Sequence, residues 1–141
     1  MSRINYGRVL LGGLAAGVVA NICDTIIGMF IMADDMQRMV QRLGLDQRAV
    51  NGVSTMTTWI IVDFIYATVI VWTYAVAIPR LGAGPKTAIT VGLVIYGVVT
   101  AVLLGFQTMG IFTIDSFIKN SILSLISAVL VSWTGAKVYR D

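Results

Sequence analysis

The chain has 141 residues, of which 57% are hydrophobic and 12% charged, and its formal net charge is +3 at pH 7. Soluble domains have about 45 to 50% apolar and about 25% charged residues, so this composition, with a mean hydropathy of +0.87, predicts an integral membrane protein. His and Glu are absent and Cys23 is the one cysteine, which excludes the usual zinc, haem, dithiol and Ser/His or Cys/His chemistries. We therefore expect no cofactor, no metal and no enzymatic activity.

Four long apolar segments are predicted to cross the membrane as helices. Each has the roughly 17 to 25 residues that a helix needs to cross about 30 Å of hydrocarbon. A barrel would instead need many short alternating segments, so we expect an all-α fold with one four-helix transmembrane domain over residues 1–141. The predicted spans are residues 9–33, 57–78, 87–106 and 115–138.

The first span follows the basic segment MSRINYGR and is too long for the apolar core of a cleaved signal peptide, so we expect it to be retained. Gly13, Gly17 and Asn21 recur every four residues, and Asp24 and Gly28 belong to the neighbouring row of small residues. Rows of small residues are typical of close helix contacts in a bilayer. Asp24 is therefore expected to face protein or a cavity rather than lipid.

The first loop is predicted to contain a short amphipathic helix over residues 34–43. Apolar residues recur at helical spacing in ADDMQRMVQRLGL, and Gly44 is suited to end the helix. Such a helix either lies on the outer membrane surface or caps the bundle, and a contact between its Met-bearing face and a partner is the alternative. Ser54 or Thr55 is expected to cap the second span.

The second span carries Asp63 and leads into the turn IPRLGAGPKTA. Pro79 is expected to end one helix and Pro85 to begin the next. The GAGPK segment lacks the spacing of a P-loop, so a tight hairpin is expected rather than a nucleotide-phosphate loop.

Small residues recur in the last two spans as well. Gly97 and Gly105 share a row in the third span, and Ser124 belongs to a small, polar row in the fourth. We expect all three to take part in helix packing. The fourth span also carries Lys119 and Asn120 near its start.

The polar residues of the spans are predicted to lie at similar depths. At 1.5 Å per residue, Asp24 lies about 13 Å and Asp63 about 9 Å below the outer surface, and Lys119 lies within about 10 Å of it. These side chains can then meet as an ion or proton site. Its candidate members are Asn21, Asp24, Asp63, Lys119 and Asn120.

Three alternatives to such a site stay open. Asp24, Asp63 and Lys119 can form a purely structural interhelical ion pair. Lys119 can instead pair with Asp115, one turn away, and extend to the surface. The site can also be completed by another subunit.

The distribution of basic residues predicts the orientation. Six of the ten Lys and Arg residues lie in the N-terminal segment, the second loop and the C-terminal segment, against three in the first loop. By the positive-inside rule both termini are cytoplasmic. The net charge is explained by this bias, and without a basic run we expect a lipid bilayer and no nucleic acid as partner.

The segments RVLLGGLAAGVV, RLGAGPKTA and GAKVYRD together resemble a group of uncharacterised bacterial four-span membrane proteins of about this length. The resemblance covers nearly the whole chain in layout. It implies the fold and the bacterial inner membrane as location, and it carries no assigned activity. We expect an oligomeric transporter or channel for a small solute or ion, with an accessory or scaffold subunit of a larger membrane complex as the alternative.

Overall fold

The computed structural model describes residues 4–140, which form helices joined by short turns. The four long helices have the length and apolar composition needed to cross a membrane, so the predicted all-α membrane fold is confirmed. In chain order the elements are α1 (Tyr6–Thr25), a π-helical segment (Ile26–Ile31), α2 (Ala33–Arg42), α3 (Gln47–Val50), α4 (Val53–Leu81), α5 (Pro85–Thr108) and α6 (Ile114–Arg140).

Helix α4 extends past both predicted ends of the second span. It begins at Val53 and continues through Pro79 to Leu81. Pro79 therefore does not end the helix: it removes one backbone hydrogen bond, and the helix continues for two residues beyond it. The helix ends at Gly82, whose N–H donates to the carbonyl oxygen of Ile78 at 2.9 Å.

The start of α4 also differs from the prediction. Gly52 occupies the N-cap position, and no side chain caps the helix there. The expectation that Ser54 or Thr55 forms the cap is therefore wrong, and the Thr55 hydroxyl donates instead to the carbonyl oxygen of Ala49 at 2.7 Å. Pro85 begins α5 as predicted.

Helices α2 and α5 end in the same way. At the end of α2, Leu45 N–H donates to Val40 at 3.0 Å and Gly44 N–H to Gln41 at 3.2 Å, with Gly44 at φ +63°. This pair of bonds defines a Schellman motif, in which glycine avoids the steric penalty of a left-handed backbone. Gly110, at φ +80°, ends α5 with the equivalent bonds.

Helix α1 packs between α4 and α6, and α5 packs mainly against α6. The close α1–α4 contact is made by Gly13 and Gly17. A Cβ on Gly13 would lie 3.0 Å from Thr68 Cα, and one on Gly17 would lie 2.7 Å from Phe64 Cε1. Neither space admits a side chain, so Gly13 and Gly17 lie where the two helix backbones approach closely.

The other predicted packing glycines have open space beside them. A Cβ on Gly28, Gly97 or Gly105 would meet no atom within 4 Å, so the packing expected of these three is not present within the single chain. Ser124 is half-buried in α6. The α5–α6 contact is made instead at Gly92, where a Cβ would lie 3.0 Å from the carbonyl oxygen of Ala128.

The buried core occupies one half of the bundle. The buried residues of α1 lie between Val9 and Ala20, and those of α5 lie between Thr87 and Gly92. We call this end, which carries residues 4–8, the α4–α5 turn and the end of α6, the basal end. The opposite end, which carries α2, is the lid end. Beyond Gly92 no described residue of α5 is buried, so the lid halves of the helices are packed less closely.

Candidate functional site

Asn21 joins α1 to α4 beside the candidate site. Its Nδ2 donates to the carbonyl oxygen of Gly17 at 2.9 Å and to that of Ile60 on α4 at 3.5 Å. Together with the packing of Gly17 on Phe64, these bonds define the register of two antiparallel helices. Asn21 and Ile60 therefore lie at the same height in the bundle.

Asp24 and Asp63 lie one turn to either side of this height. Side chains tilt toward the N-terminus of their own helix, and because α1 and α4 are antiparallel the two carboxyl groups lean toward each other. The two carboxyl groups are close enough to interact through a hydrogen bond between their side chains. Such a bond requires a proton on one carboxyl group, since two carboxylates repel, and a cation between them would remove the same repulsion.

The two carboxyl groups differ in exposure. Asp63 is 7% exposed, whereas Asp24 contacts Asp63 on one side and remains exposed on the other. Asp24 is therefore enclosed by protein only in part. The expectation that it faces protein rather than lipid holds for the side that contacts Asp63 and not for the other side. An Asp at the bilayer centre costs about 2.5 to 3.5 kcal/mol on insertion scales. A neutralising proton, a cation, water or a second protein chain beside Asp24 would offset this.

Tyr66 is a third side chain at this site, and the sequence analysis did not find it. It is half-buried and lies one turn after Asp63 on α4, within electrostatic range of both carboxyl groups. Its hydroxyl is a donor and an acceptor. The signal that would have found it is its i,i+3 spacing from Asp63, which puts the two side chains on one face of the helix.

Lys119 does not join the two carboxyl groups. Its Nζ lies 2.7 Å from Asp35 Oδ2 on α2. This corrects both the predicted grouping with Asp24 and Asp63 and the alternative pairing with Asp115. Lys119 lies in the second turn of α6, so its long side chain reaches the lid end where α2 passes.

Asp35 is the centre of a polar cluster between α2 and α6. Ser116 Oγ donates to Asp35 Oδ1 at 3.1 Å, and Arg38 Nη2 lies 3.2 Å from the same oxygen. The hydrogen bond from Lys119 holds the pKa of Asp35 below its usual range and outweighs its partial desolvation, while Ser116 and Arg38 act in the same direction. Asp35 is therefore a charged partner that ties α2 to the bundle.

Helix α2 caps the lid end rather than lying free on the membrane surface. Val40 is 4% exposed, and Arg42 Nη2 donates to the carbonyl oxygen of Ile111 at 2.6 Å in the α5–α6 turn. Together with the Asp35–Lys119 bond, this contact holds α2, which follows the first span, against the start of α6. Of the two placements that the sequence left open, the cap is the one observed.

Asn120 has no hydrogen bond to the other predicted site residues in the described range. It is half-buried in α6, and its side chain forms no hydrogen bond with another residue in the range 4–140. The candidate site therefore consists of Asn21, Asp24, Asp63 and Tyr66.

Within residues 4–140 there is no group of three or more His, Cys, Asp or Glu side chains that could hold a metal ion. The site offers two carboxyl groups, one amide and one phenol. Divalent cations such as Ca²⁺ take six to eight oxygen ligands. The arrangement therefore suits a proton or a weakly held monovalent cation better than a tightly bound divalent ion.

The fold places the protein in the class of multi-pass membrane proteins with four apolar helices. No family model matches the chain, and no curated protein or solved structure is detectably similar to it. The resemblance to uncharacterised bacterial four-span proteins therefore stays a prediction.

Proposed function

We propose that the protein is a small membrane transporter that binds a proton or a monovalent cation between Asp24 and Asp63. The observation that carries the proposal is the contact between two carboxyl groups inside two apolar spans. Ionisable residues within spans are costly, and they commonly mark ion pathways or proton relays. Asn21 and Tyr66 supply further polar groups for the same ligand.

The unequal packing of the two halves supports transport by alternating access rather than through a permanently open pore. Glycine-to-backbone contacts close the basal half, whereas the lid halves of the four long helices hold no buried residue beyond Asp63 in the described range. The ligand would reach the carboxyl groups from the lid end. Release at the other side would require the basal contacts of α1 with α4 and α6 to separate.

The location proposed for the protein is the bacterial cytoplasmic membrane, with the basal end in the cytoplasm. The support is the distribution of basic residues, which the positive-inside rule relates to orientation. The basic residues of the described range at the basal end are Arg8, Arg80, Lys86, Lys137 and Arg140.

Flux in liposomes tests the proposal. Purified protein is reconstituted with a dye inside that reports protons, sodium or potassium, and the flux of each ion is measured under an imposed gradient of that ion. Asp24→Asn and Asp63→Asn should each abolish the flux, because either change removes one of the two carboxyl groups. Asp115→Asn is the matched control, since it makes the same chemical change at an exposed position in the first turn of α6.

Each variant must elute from size-exclusion chromatography as the unaltered protein does, so that lost flux is not lost folding. Wild-type flux equal to that of empty liposomes would overturn the proposal. Flux that survives in both Asp24→Asn and Asp63→Asn would do so as well.

The second candidate function is an accessory or scaffold subunit, and the lid half of α5 favours it. Gly97 and Gly105 lie in this half with open space beside them, and small residues on an uncovered helix suit a neighbouring helix. The neighbour is a second copy if the protein is a homo-oligomer, or a different chain if it is a subunit of a complex.

Cysteine cross-linking separates these cases. In a Cys23→Ser background, Gly105→Cys should form a disulfide between copies if α5 meets α5. Co-purification with another membrane protein, together with no flux for the purified chain, would favour the accessory role. A solitary species in mild detergent without cross-linking would count against both.

A further inference from the structure

A small pocket lies at the basal end, opposite to the lid end. Its volume is about 80 Å³. The α4–α5 turn forms one wall through Gly84, and the last two turns of α6 form the other through Trp133, Lys137 and Arg140. Tyr74 of α4 also lines it. Three of the four long helices thus contribute to one cavity.

Tyr74 brings a buried hydroxyl to this pocket. The side chain is 0% exposed, and its oxygen accepts a hydrogen bond from the N–H of Gly84 at 3.1 Å. Its own proton has no acceptor in the described part of the chain. Buried hydroxyls ordinarily use their donor as well, so the pocket lacks one acceptor.

The charges around the pocket are positive. Lys137 and Arg140 border it with exposed side chains, and within residues 4–140 neither forms a salt bridge and no acidic residue lies at the basal end. The N-terminus of α5, which begins at Pro85, adds the partial positive charge of a helix start. An anionic ligand with several acceptor oxygens would satisfy all of these groups.

We infer that this pocket binds a phosphate group, and that the headgroup of an anionic phospholipid is the source that its surroundings favour. Phosphate oxygens accept from Tyr74 and Lys137, and Arg140 can bind two of them with its planar guanidinium group. Trp133 is 49% exposed beside the pocket, and Trp side chains concentrate at the headgroup level of a bilayer. Basic pockets between membrane helices are known sites for anionic headgroups.

The inference does not depend on the proposed transport function, because the pocket shares no residue with the carboxyl site. The proposed phosphate site is also not a P-loop, since the GAGPK segment does not have the P-loop spacing. The phosphate is held here by side chains of α4 and α6, and the turn contributes a wall and a helix N-terminus. A bound headgroup would link α4, α5 and α6 at the closed end of the bundle.

Fluorescence of Trp133 tests the inference. The reporter protein carries Trp59→Phe and Trp72→Phe, two lipid-exposed positions, so that Trp133 alone emits. It is reconstituted in phosphatidylcholine with equal fractions of brominated phosphatidylglycerol or brominated phosphatidylcholine. Bromine quenches nearby Trp, so the inference predicts stronger quenching by the anionic lipid.

Two sets of variants separate the pocket from general attraction to a charged membrane. Each basic residue beside an anionic surface strengthens binding roughly fivefold, so Lys137→Gln with Arg140→Gln should lower the preference roughly 25-fold. Arg38→Gln with Arg48→Gln, which removes the same charge at the lid end, should leave it unchanged. Tyr74→Phe should also weaken the preference, although a diffuse surface attraction would not be affected by it.

Inorganic phosphate forms the second arm. In phosphatidylcholine alone, a saturable change in Trp133 emission on adding phosphate, lost in the Lys137→Gln, Arg140→Gln variant, would identify free phosphate as a ligand. Preference for the anionic lipid without that response identifies the headgroup. Equal quenching by both lipids with no phosphate response would overturn the inference, and so would a preference that Tyr74→Phe leaves intact.

Discussion

The backbones of Gly12 and Gly135 meet where α1 crosses α6. A Cβ built on Gly12 would lie 2.9 Å from the carbonyl oxygen of Gly135, so the crossing has no room for a side chain at this point. In a bilayer, where lipid is as apolar as leucine, such close packing is a principal source of helix association. The crossing helps to hold the basal half of the bundle closed.

Gly12→Leu should therefore destabilise the protein. Inserting a large side chain into a close contact typically costs about 1 to 3 kcal/mol. The measurement is the midpoint of thermal unfolding in detergent. Gly97→Leu is the control, because a Cβ there meets no atom within 4 Å and the change should be neutral or stabilising by up to about 1 kcal/mol. An equal decrease of the unfolding midpoint in both variants would show that the α1–α6 crossing has no special role in stability.

Gly110→Ala should destabilise the end of α5. Gly110 has φ +80°, and a Cβ in the left-handed region costs roughly 1 to 2 kcal/mol. Gly105→Ala, five residues earlier within the helix, should be neutral or stabilising by up to about 1 kcal/mol because alanine favours helices. The free energy of unfolding in a denaturing detergent is measured for both variants. A Gly110→Ala variant as stable as the unaltered protein would contradict the geometry of the turn.

Asn21→Ala should weaken the joint between α1 and α4. Hydrogen bonds between membrane helices contribute about 0.6 kcal/mol on average, up to about 1.7. The Asn21 side chain makes such a bond to Ile60, whereas that of Asn120 makes none to another described residue. A fall in unfolding free energy for Asn21→Ala, with no fall for Asn120→Ala, is the expected result. If the unfolding free energy decreases equally in both variants, the loss of the Asn21 bond is not the cause.

The bond between Asp35 and Lys119 should make the docking of α2 depend on pH. Because Lys119, Ser116 and Arg38 hold the pKa of Asp35 below its usual range, the docking it supports is present above the unfolded pKa near 3.9. It is lost as pH falls through the lower, folded pKa. A nitroxide label at position 37, in a Cys23→Ser background, should become more mobile over that acidic range.

The same label tests the bond at neutral pH. Asp35→Asn should mobilise it without any change in pH, because the amide cannot form the ion pair. Asp34→Asn, on the neighbouring exposed position, serves as the control. The docking arrangement would be refuted by a label whose mobility is the same in both variants.

The membrane spans could be predicted from sequence because hydropathy and helix length determine them together. The amphipathic helix was predictable for a similar reason: its apolar spacing and Gly44 are local signals, and α2 follows them closely. The contact of Asp24 with Asp63 also followed from counting residues from the helix ends.

The helix partners could not be predicted in this way. Gly13 and Gly97 lie in similar rows of small residues, yet only Gly13 has a helix against it. A small-residue row identifies a face that admits close contact, but does not specify the helix that occupies it. Lys119 shows the same limit, because its partner Asp35 is 84 residues away and its reach depends on how α2 folds back.

The most direct test of the account is a double-mutant cycle on flux with Asp24→Asn, Asp63→Asn and both changes together. Residues that act as one unit are not additive, so the account predicts that each single variant loses the flux and the double variant loses no more. Residual flux in each single variant that falls further, by the product of the two single effects, in the double variant would contradict a shared site. Flux retained in the double variant would show that the two carboxyl groups are not on the transport pathway.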